Sequence, residues 1–218
     1  MEPMEIIRQR HSVRRYLDKP LAGDVRDKLE AFTALCNQES GLHIQLLCNE
    51  PAGFSRTFSR CANYLAFTGP RAPGLEERCG YYGEKILLFA QELGLRSCWA
   101  GLSHAKRAKA YTLENGEVFV IAAALGYGED DGKERKSKKP EEVMKVRGEI
   151  PDWFRSGTEA ALLAPTAMNR QAFTLELQKD GAVRLRYALG PFWQVDLGIV
   201  RYHFEIGAGK ENFRWHDE

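Results

Sequence analysis

The feature that most constrains the fold is an uninterrupted apolar run from Val118 to Leu125. Eight apolar residues between polar neighbours predict a strand that is covered on both faces. The strongest helical pattern, at about residues 79–93, places Tyr82, Ile86 and Leu93 on one face before Gly94 ends it. The chain therefore supplies both a buried strand and an amphipathic helix that can pack near it.

A second strong pattern lies in the last third of the chain. Apolar residues alternate over 173–177 and again over 183–187, and Asp180-Gly181 between them predicts a β-hairpin. Weaker patterns predict strands at 42–48 and at 62–68, the latter stopped by Gly69-Pro70, and helices at 3–9, 24–37, 152–164 and 192–206. Because helices and strands do not alternate strictly, the pattern predicts an α+β fold rather than a doubly wound parallel sheet.

Composition narrows the class of protein. A formal net charge of +1 gives no indication of nucleic-acid binding. No apolar run is long enough to span a bilayer, so we expect a cytoplasmic protein without a membrane partner. The five cysteines form no CxxC pair and the histidines lack ligand spacing, so no metal site is expected; the histidines are His11, His43, His104, His203 and His216.

A basic stretch, Arg10-His11-Ser12-Val13-Arg14-Arg15-Tyr16, is the first candidate site. In an extended segment Arg10, Ser12 and Arg14 project to one side. Guanidinium forks and a hydroxyl that converge on one point suit a phosphate monoester. The alternative is a solvated basic arm.

Two later segments are candidates of the same kind. Lys136 and Lys138 form a second basic pair, whose alternative is a solvated loop. Pro165–Gln171 is a polar insert in which Asn169 and Gln171 could bind the amide edges of a flat heterocycle, and its alternative is a helix end followed by a loop. Gly126-Tyr127-Gly128 is not a dinucleotide fingerprint, because acidic residues follow it instead of a helix.

Taken together, five segments resemble the nitroreductase family of FMN-dependent NAD(P)H oxidoreductases. Arg10–Arg14 resembles the family's phosphate-binding motif, and Leu93–Gly101 resembles its long helix and flavin-facing loop. Val118–Gly126 resembles the following strand, Lys136–Glu142 the basic segment that returns to the phosphate, and Pro165–Gln171 the S-P-S-S-x-N-x-Q signature. The resemblance implies a mixed, mainly antiparallel sheet flanked by helices.

The resemblance also implies a role for each matching residue. Arg10 and Ser12, with Lys136 and Lys138, would hold the phosphate of FMN, and His11 would help to fix the ribityl chain or the loop. Arg14 would approach the N1–O2 edge of the isoalloxazine, and the backbone near Ala100 and Gly101 would offer an N–H to flavin N5. The pyrimidine ring or the ribityl hydroxyls would be contacted by Pro165, Thr166, Asn169 and Gln171.

One departure from the family affects the architecture. In ordinary members the Asn/Gln signature follows the second helix, where this chain has only Cys36–Gly41, and here the signature lies in the last third. In the family's homodimers the partner subunit supplies that segment. We therefore expect a fused arrangement similar to an internally duplicated, dimer-mimicking subgroup. Residues 1–150 would form one half of the site, and residues 151–218 a shortened second copy.

The expected function is FMN-dependent transfer of hydride from NADH or NADPH to a small-molecule acceptor, of nitroaromatic or quinone type, with no catalytic side chain. A monomer that mimics a dimer is expected rather than an obligate homodimer. The alternative is an FMN-binding protein without efficient turnover that serves in storage or sensing.

Overall fold

A computed structural model describes residues 2–50, 54–101 and 110–216. The described residues form six α-helices, two short 3-10 segments at Ala167–Asn169 and Lys210–Asn212, and eight strands. The helices are α1 (Pro3–Gln9), α2 (Gly23–Ser40), α3 (Leu75–Glu92), α4 (Pro140–Val143), α5 (Asp152–Leu162) and α6 (Trp193–Ala208). The strands are β1 (His43–Leu47), β2 (Asn63–Pro70), β3 (Arg96–Trp99), β4 (Glu117–Gly126), β5 (Met144–Lys145), β6 (Phe173–Leu177), β7 (Ala182–Tyr187) and β8 (Arg214–Trp215).

The strands form two four-stranded sheets, and the α+β prediction is confirmed. The first sheet has the order β1-β2-β4-β3 with antiparallel pairing throughout. The second has the order β5-β6-β7-β8, with an antiparallel hairpin at its centre and a parallel strand at each edge. Mainly antiparallel pairing is therefore confirmed.

The apolar run forms a strand as predicted, although Val118, Phe119 and Val120 are only half-buried. Strand β4 lies inside the first sheet, and its residues from Ile121 to Gly126 are buried. Successive side chains of β4 point to opposite faces of the sheet. Ala123 and Leu125 therefore face the main core, while Ala122 packs with Tyr64 on the other face. Strand β2 continues through Gly69 and Pro70, which pair with Val118 and Glu117, so the predicted stop at Gly69-Pro70 was wrong.

A repeated order of elements is visible across the two sheets. The series α2-β1-β2-α3-β3 and the series α5-β6-β7-α6-β8 each run helix, strand, strand, helix, strand. Both β1-β2 and β6-β7 are antiparallel pairs. Strand β4 separates β2 from β3 in the first sheet, whereas β8 pairs directly with β7 in the second.

Helices α3 and α6 cross at a reciprocal glycine contact. A Cβ atom built on Gly80 would overlap the carbonyl oxygen of Val195, and one built on Gly198 would overlap that of Glu77. Val195 lies three positions before Gly198, and Glu77 lies three positions before Gly80. The two contacts are therefore equivalent, as if related by a local two-fold axis. Absence of both side chains lets the two backbones approach closely.

One hydrophobic core joins the two parts of the chain. It includes Leu29, Ile86 and Leu125 from the first part and Phe154 and Phe204 from the last third. Strand β5, which precedes residue 150, pairs with β6 of the second sheet. The core therefore crosses the predicted boundary at residue 150.

Candidate functional site

The N-terminal basic segment lies beside the first sheet. Ser12 forms a parallel bridge with Ser97 of β3, and the Val13 N–H donates to the Ser97 carbonyl oxygen at 3.0 Å. Along the segment Arg10 is buried, Ser12 is half-buried and Arg14 is exposed. The three side chains do not line a common cavity, because Arg10 lines one cavity while Ser12 and Arg14 line another.

The first of these, here called the arginine cavity, has a volume of about 410 Å³. It is lined by Ile7, Arg8, Arg10, His11, Glu134, Arg135, Ser137, Leu162 and Leu163. Arg10 is only 1% exposed, yet no described residue accepts a hydrogen bond from its Nη1 or Nη2. A buried cation with unused donors favours an anionic ligand, because an unpaired buried donor is costly.

A buried carboxylate lies behind Arg10. Glu84 on α3 has Oε1 3.4 Å from Arg10 Nε, and it accepts hydrogen bonds from Trp99 Nε1 at 2.8 Å and His203 Nε2 at 3.0 Å. Burial alone would raise the pKa of Glu84, but Arg10 and the bonds from His203 and Trp99 outweigh it and lower the pKa. Glu84 therefore stays ionised and fixes one edge of the Arg10 guanidinium.

Another arginine of the cavity, Arg135, directly precedes the predicted basic pair of Lys136 and Lys138. Arg135 Nη2 donates to the Leu163 carbonyl oxygen, while no described residue accepts from its Nε. Burial and the nearby Arg10 lower the pKa of Arg135 to about 10, so it remains charged at neutral pH. Burial and the same two arginines lower the pKa of His11, which leaves its ring neutral at pH 7.

The cavity is lined by residues 135 and 137 rather than by the predicted pair. Lys136 and Lys138 are exposed, and Lys138 Nζ donates to the Gln171 carbonyl oxygen at 2.8 Å. Successive side chains of an extended segment point to opposite sides, so a shift of one position changes which ones meet Arg10. The predicted phosphate role of Lys136 and Lys138 stays a prediction.

The structure brings the basic pair Lys136 and Lys138 next to the segment that carries Asn169 and Gln171. The Gln171 side chain is 2% exposed, accepts from the Lys138 N–H at 2.8 Å, and donates to the Leu162 carbonyl oxygen at 2.9 Å and to Ser137 Oγ at 3.0 Å. Asn169 Nδ2 donates to the Lys136 carbonyl oxygen at 2.7 Å. Both amides tie protein segments to one another, and a direct contact of either with a ligand stays a prediction.

A smaller cavity of about 130 Å³, here called the Gly101 cavity, combines the two parts of the chain. Its lining includes Ser12, Arg14, Cys98, Trp99, Gly101 and Ile121 from the first part, and Pro165, Thr166, Ala167, Met168, Phe192, Val195, Asp196 and Ile199 from the second. The Ala100 N–H already donates to the Ala122 carbonyl oxygen at 2.8 Å, which leaves Gly101 as the candidate N–H donor to a ligand.

The segment that closes this cavity has unusual backbone angles. Met168, Asn169 and Gln171 have φ values of 54°, 52° and 45°, in the left-handed region that side chains with a Cβ rarely adopt. Backbone of this kind clusters at ligand sites, where surrounding contacts stabilise it. Here the Gln171 hydrogen bonds and Asp196, which accepts the Ala167 N–H at 3.0 Å, provide those contacts.

Among the residues that the sequence prediction missed are Arg135, Phe192 and Asp196, which line these cavities, and Glu84, which lies behind Arg10. Glu84 offered one signal, because it is a charged residue in the helix with the most apolar pattern. Arg135 is adjacent to the predicted basic pair. Nothing local distinguished Phe192 or Asp196, since their roles depend on contacts with residues distant in the chain.

Other surfaces offer less to a cofactor. A concavity of about 1240 Å³ lies along the second sheet, and none of the predicted site residues line it. Within residues 2–50, 54–101 and 110–216, no group of three or more potential metal ligands occurs, and His104 lies outside them. None of the helices in these ranges is long and apolar enough to span a bilayer.

Comparison with known proteins identifies the family. Residues 2–208 match the model of a family described as "Putative TM nitroreductase". The chain therefore belongs to this nitroreductase family. None of the curated proteins matches it in sequence.

Solved structures share the fold. A nitroreductase-like protein from Thermotoga maritima, 22% identical, aligns over 99% of this chain and 87% of its own with a TM-score of 0.72. A "putative nitroreductase in complex with FMN" from Desulfovibrio desulfuricans, 18% identical, aligns over 69% of this chain and 99% of its own with a TM-score of 0.55. A "Putative NADH dehydrogenase/NAD(P)H nitroreductase" from Parabacteroides distasonis is 16% identical. It aligns over 68% of this chain and 99% of its own with a TM-score of 0.53.

Proposed function

We propose that this protein is an FMN-dependent oxidoreductase in which hydride from NADH or NADPH reaches a small-molecule acceptor of nitroaromatic or quinone type. Family membership supports the oxidoreductase class, and the FMN complex of the Desulfovibrio relative supports the cofactor. The observation that carries the proposal is the arginine cavity, where the buried Arg10 and the half-buried Arg135 have N–H groups without acceptors among the described residues.

The residues present fit the phosphate end of FMN. Arg10 and Arg135 would hold the dianion through charged hydrogen bonds, and Ser137, which lines the same cavity, and the nearby Lys136 and Lys138 are further donors. Three lining arginines, Arg8, Arg10 and Arg135, outnumber the two carboxylates of Glu84 and Glu134, so the cavity keeps a net positive charge that an anion would balance. The ring end fits less directly, because the Gly101 cavity is small.

Bound FMN supplies the redox chemistry, since the flavin accepts and passes on a hydride. The protein's part is binding and electrostatics. Arg14 would place positive charge beside the ring, and the Gly101 N–H would donate toward it. Pro165 and Thr166 would form the opposite wall and exclude water.

We further propose that residues 151–218 act as a fused partial second copy, so that one chain supplies both walls of one site. The repeated order of elements and the reciprocal contact of Gly80 with Gly198 support this idea. The relatives from Desulfovibrio and Parabacteroides, which align over nearly their whole length, cover only about two thirds of this chain. The remaining third would take the place of a partner subunit.

The test compares FMN with riboflavin, which lacks the phosphate. We expect Arg135→Ala and Arg10→Ala to weaken FMN binding by about 1.5–3 kcal/mol, the usual range for a hydrogen bond to a charged group, and to leave riboflavin binding unchanged. Fluorescence quenching measures both affinities. Arg26→Ala is the control, because Arg26 is an exposed arginine that pairs with Glu30.

Two further variants decide between the two sets of phosphate ligands. If Lys136→Ala and Lys138→Ala weaken FMN binding while Arg135→Ala does not, the lysines rather than Arg135 hold the phosphate.

Anaerobic addition of NADH or NADPH to the FMN-bound protein tests turnover, because a reductase loses its yellow flavin absorbance and a storage protein retains it. A protein that binds no FMN at all would contradict the proposal.

A further inference from the structure

Phe192 lies where the ring of a flat ligand would have to go. Its side chain contacts Gly101 so closely that a Cβ built on Gly101 would be 2.5 Å from the ring atoms Cε2 and Cζ. Phe192 also lines the Gly101 cavity, whose volume of about 130 Å³ is well below the roughly 300–1,000 Å³ of typical small-molecule sites. A tricyclic ring cannot approach Gly101 while Phe192 occupies this position.

The backbone at this position is poorly suited to phenylalanine. Phe192 is the N-cap residue of α6 with φ 57°, and bulky residues with positive φ are rare because of steric conflict. The residues just before it are Leu189, which is 77% exposed, Gly190 and Pro191. Leu189 and Pro191 are exposed, whereas Gly190 packs against the Arg170 guanidinium, which also donates to the Leu189 carbonyl oxygen at 3.2 Å. Movement of the ring is therefore expected from the Phe192 side chain and backbone rather than from displacement of the whole connection.

We propose that Phe192 is the residue that controls access of a planar heteroaromatic ring to the Gly101 backbone. This inference rests on the proposed function, since the ring in question is the isoalloxazine of FMN. The Phe192 ring covers Gly101 in the ligand-free protein and moves aside before the flavin ring enters. If the open form makes up about 1–10% of molecules, apparent affinity falls by about 10–100-fold relative to a permanently open site.

The test measures FMN association by stopped-flow fluorescence in the full-length protein. Phe192→Asn is the main variant, because asparagine tolerates a left-handed backbone and is a good N-cap, so helix α6 keeps its start while the ring is removed. We expect the wild-type association rate to reach a plateau at high FMN concentration, as opening becomes limiting. In F192N the rate should rise linearly and be about tenfold faster.

Controls separate this effect from others. Leu189→Ala, a change in the same connection but outside the cavity, should leave the rate unchanged. Riboflavin should show the same acceleration in F192N, because it carries the ring without the phosphate. A wild-type rate and affinity in F192N would overturn the inference even though FMN binds. Absence of FMN binding in every variant, with an unchanged thermal unfolding midpoint, would instead contradict the proposed function.

Discussion

At the scale of single residues, Asp196 shows how a buried carboxyl group can fix the edge of a site. Its oxygens accept the Ala167 N–H at 3.0 Å and the Tyr187 hydroxyl at 2.7 Å, which attaches α6 to the segment that closes the Gly101 cavity. Burial raises the pKa of Asp196 to about 6, and the two hydrogen bonds only partly oppose this. The group therefore combines a positioning role with a cost in stability at neutral pH.

The pH dependence of stability tests this assignment. Because the folded-state pKa lies above the ordinary value of 3.8, the native state binds the proton more tightly than the unfolded state. The contribution of Asp196 to the free energy of unfolding is therefore largest below about pH 4 and falls by about 3 kcal/mol as pH rises to 6 and above. Urea unfolding of wild type and Asp196→Asn from pH 4 to 7 measures it, and identical pH profiles would contradict it.

At the scale of elements, the crossing of α3 and α6 holds the two parts of the chain together. The helices meet at Gly80 and Gly198, and α3 carries Glu84 while α6 carries the His203 that donates to it. Close backbone packing therefore places residues of the two helices around the buried side of Arg10. A side chain added at Gly80 or Gly198 would separate the two helices and displace Glu84 and His203 relative to Arg10.

Gly198→Ala should accordingly destabilise the protein by about 1–3 kcal/mol or more, the usual effect of overpacking a core. Gly23→Ala is a matched control, because Gly23 is also helical and a Cβ built there meets no other atom within 4 Å. We expect Gly23→Ala to be neutral or slightly stabilising. Urea unfolding compares the two, and equal midpoints would mean that the α3–α6 contact adjusts without cost.

At the scale of the whole molecule, one hydrophobic core is shared by two four-stranded sheets. This arrangement is compatible with the proposal that one chain takes the place of a dimer. The arginine cavity and the Gly101 cavity both combine residues from before and after position 150. Leu162 and Leu163 of the last third, for example, line the arginine cavity beside Arg10. Each of the two cavities is thus lined by residues from both parts of one chain.

Mass and flavin content in solution test that proposal together. Light scattering with size exclusion should give the mass of one chain, and flavin absorbance of the saturated protein should give one FMN per chain. An obligate dimer with one flavin for every two chains would contradict the fused arrangement. The measurement uses the intact protein, because the shared core makes an isolated half unsuitable.

Much of the fold was predictable because its signals are local. The alternation at 173–177 and 183–187 predicted the β6–β7 hairpin, in which Leu175 pairs with Leu185. Strand β3 was not predicted, and its residues were assigned to the end of the long helix and the flavin-facing loop. Four residues are too few for a clear pattern, and the pairing of β3 with β4 is non-local. Helix α3 begins at Leu75, four residues before its predicted start, because its first turn is mostly polar.

The sequence by itself determined the fold class, most of the helices and strands, and the family, since periodicity and short motifs are properties of neighbouring residues. Only the tertiary structure decided which side chains meet. It buried Arg10 against Glu84, turned Arg135 rather than Lys136 toward that arginine, and laid Phe192 over Gly101. The physical reason is that side-chain direction in irregular segments depends on packing between distant parts of the chain, which local patterns do not encode.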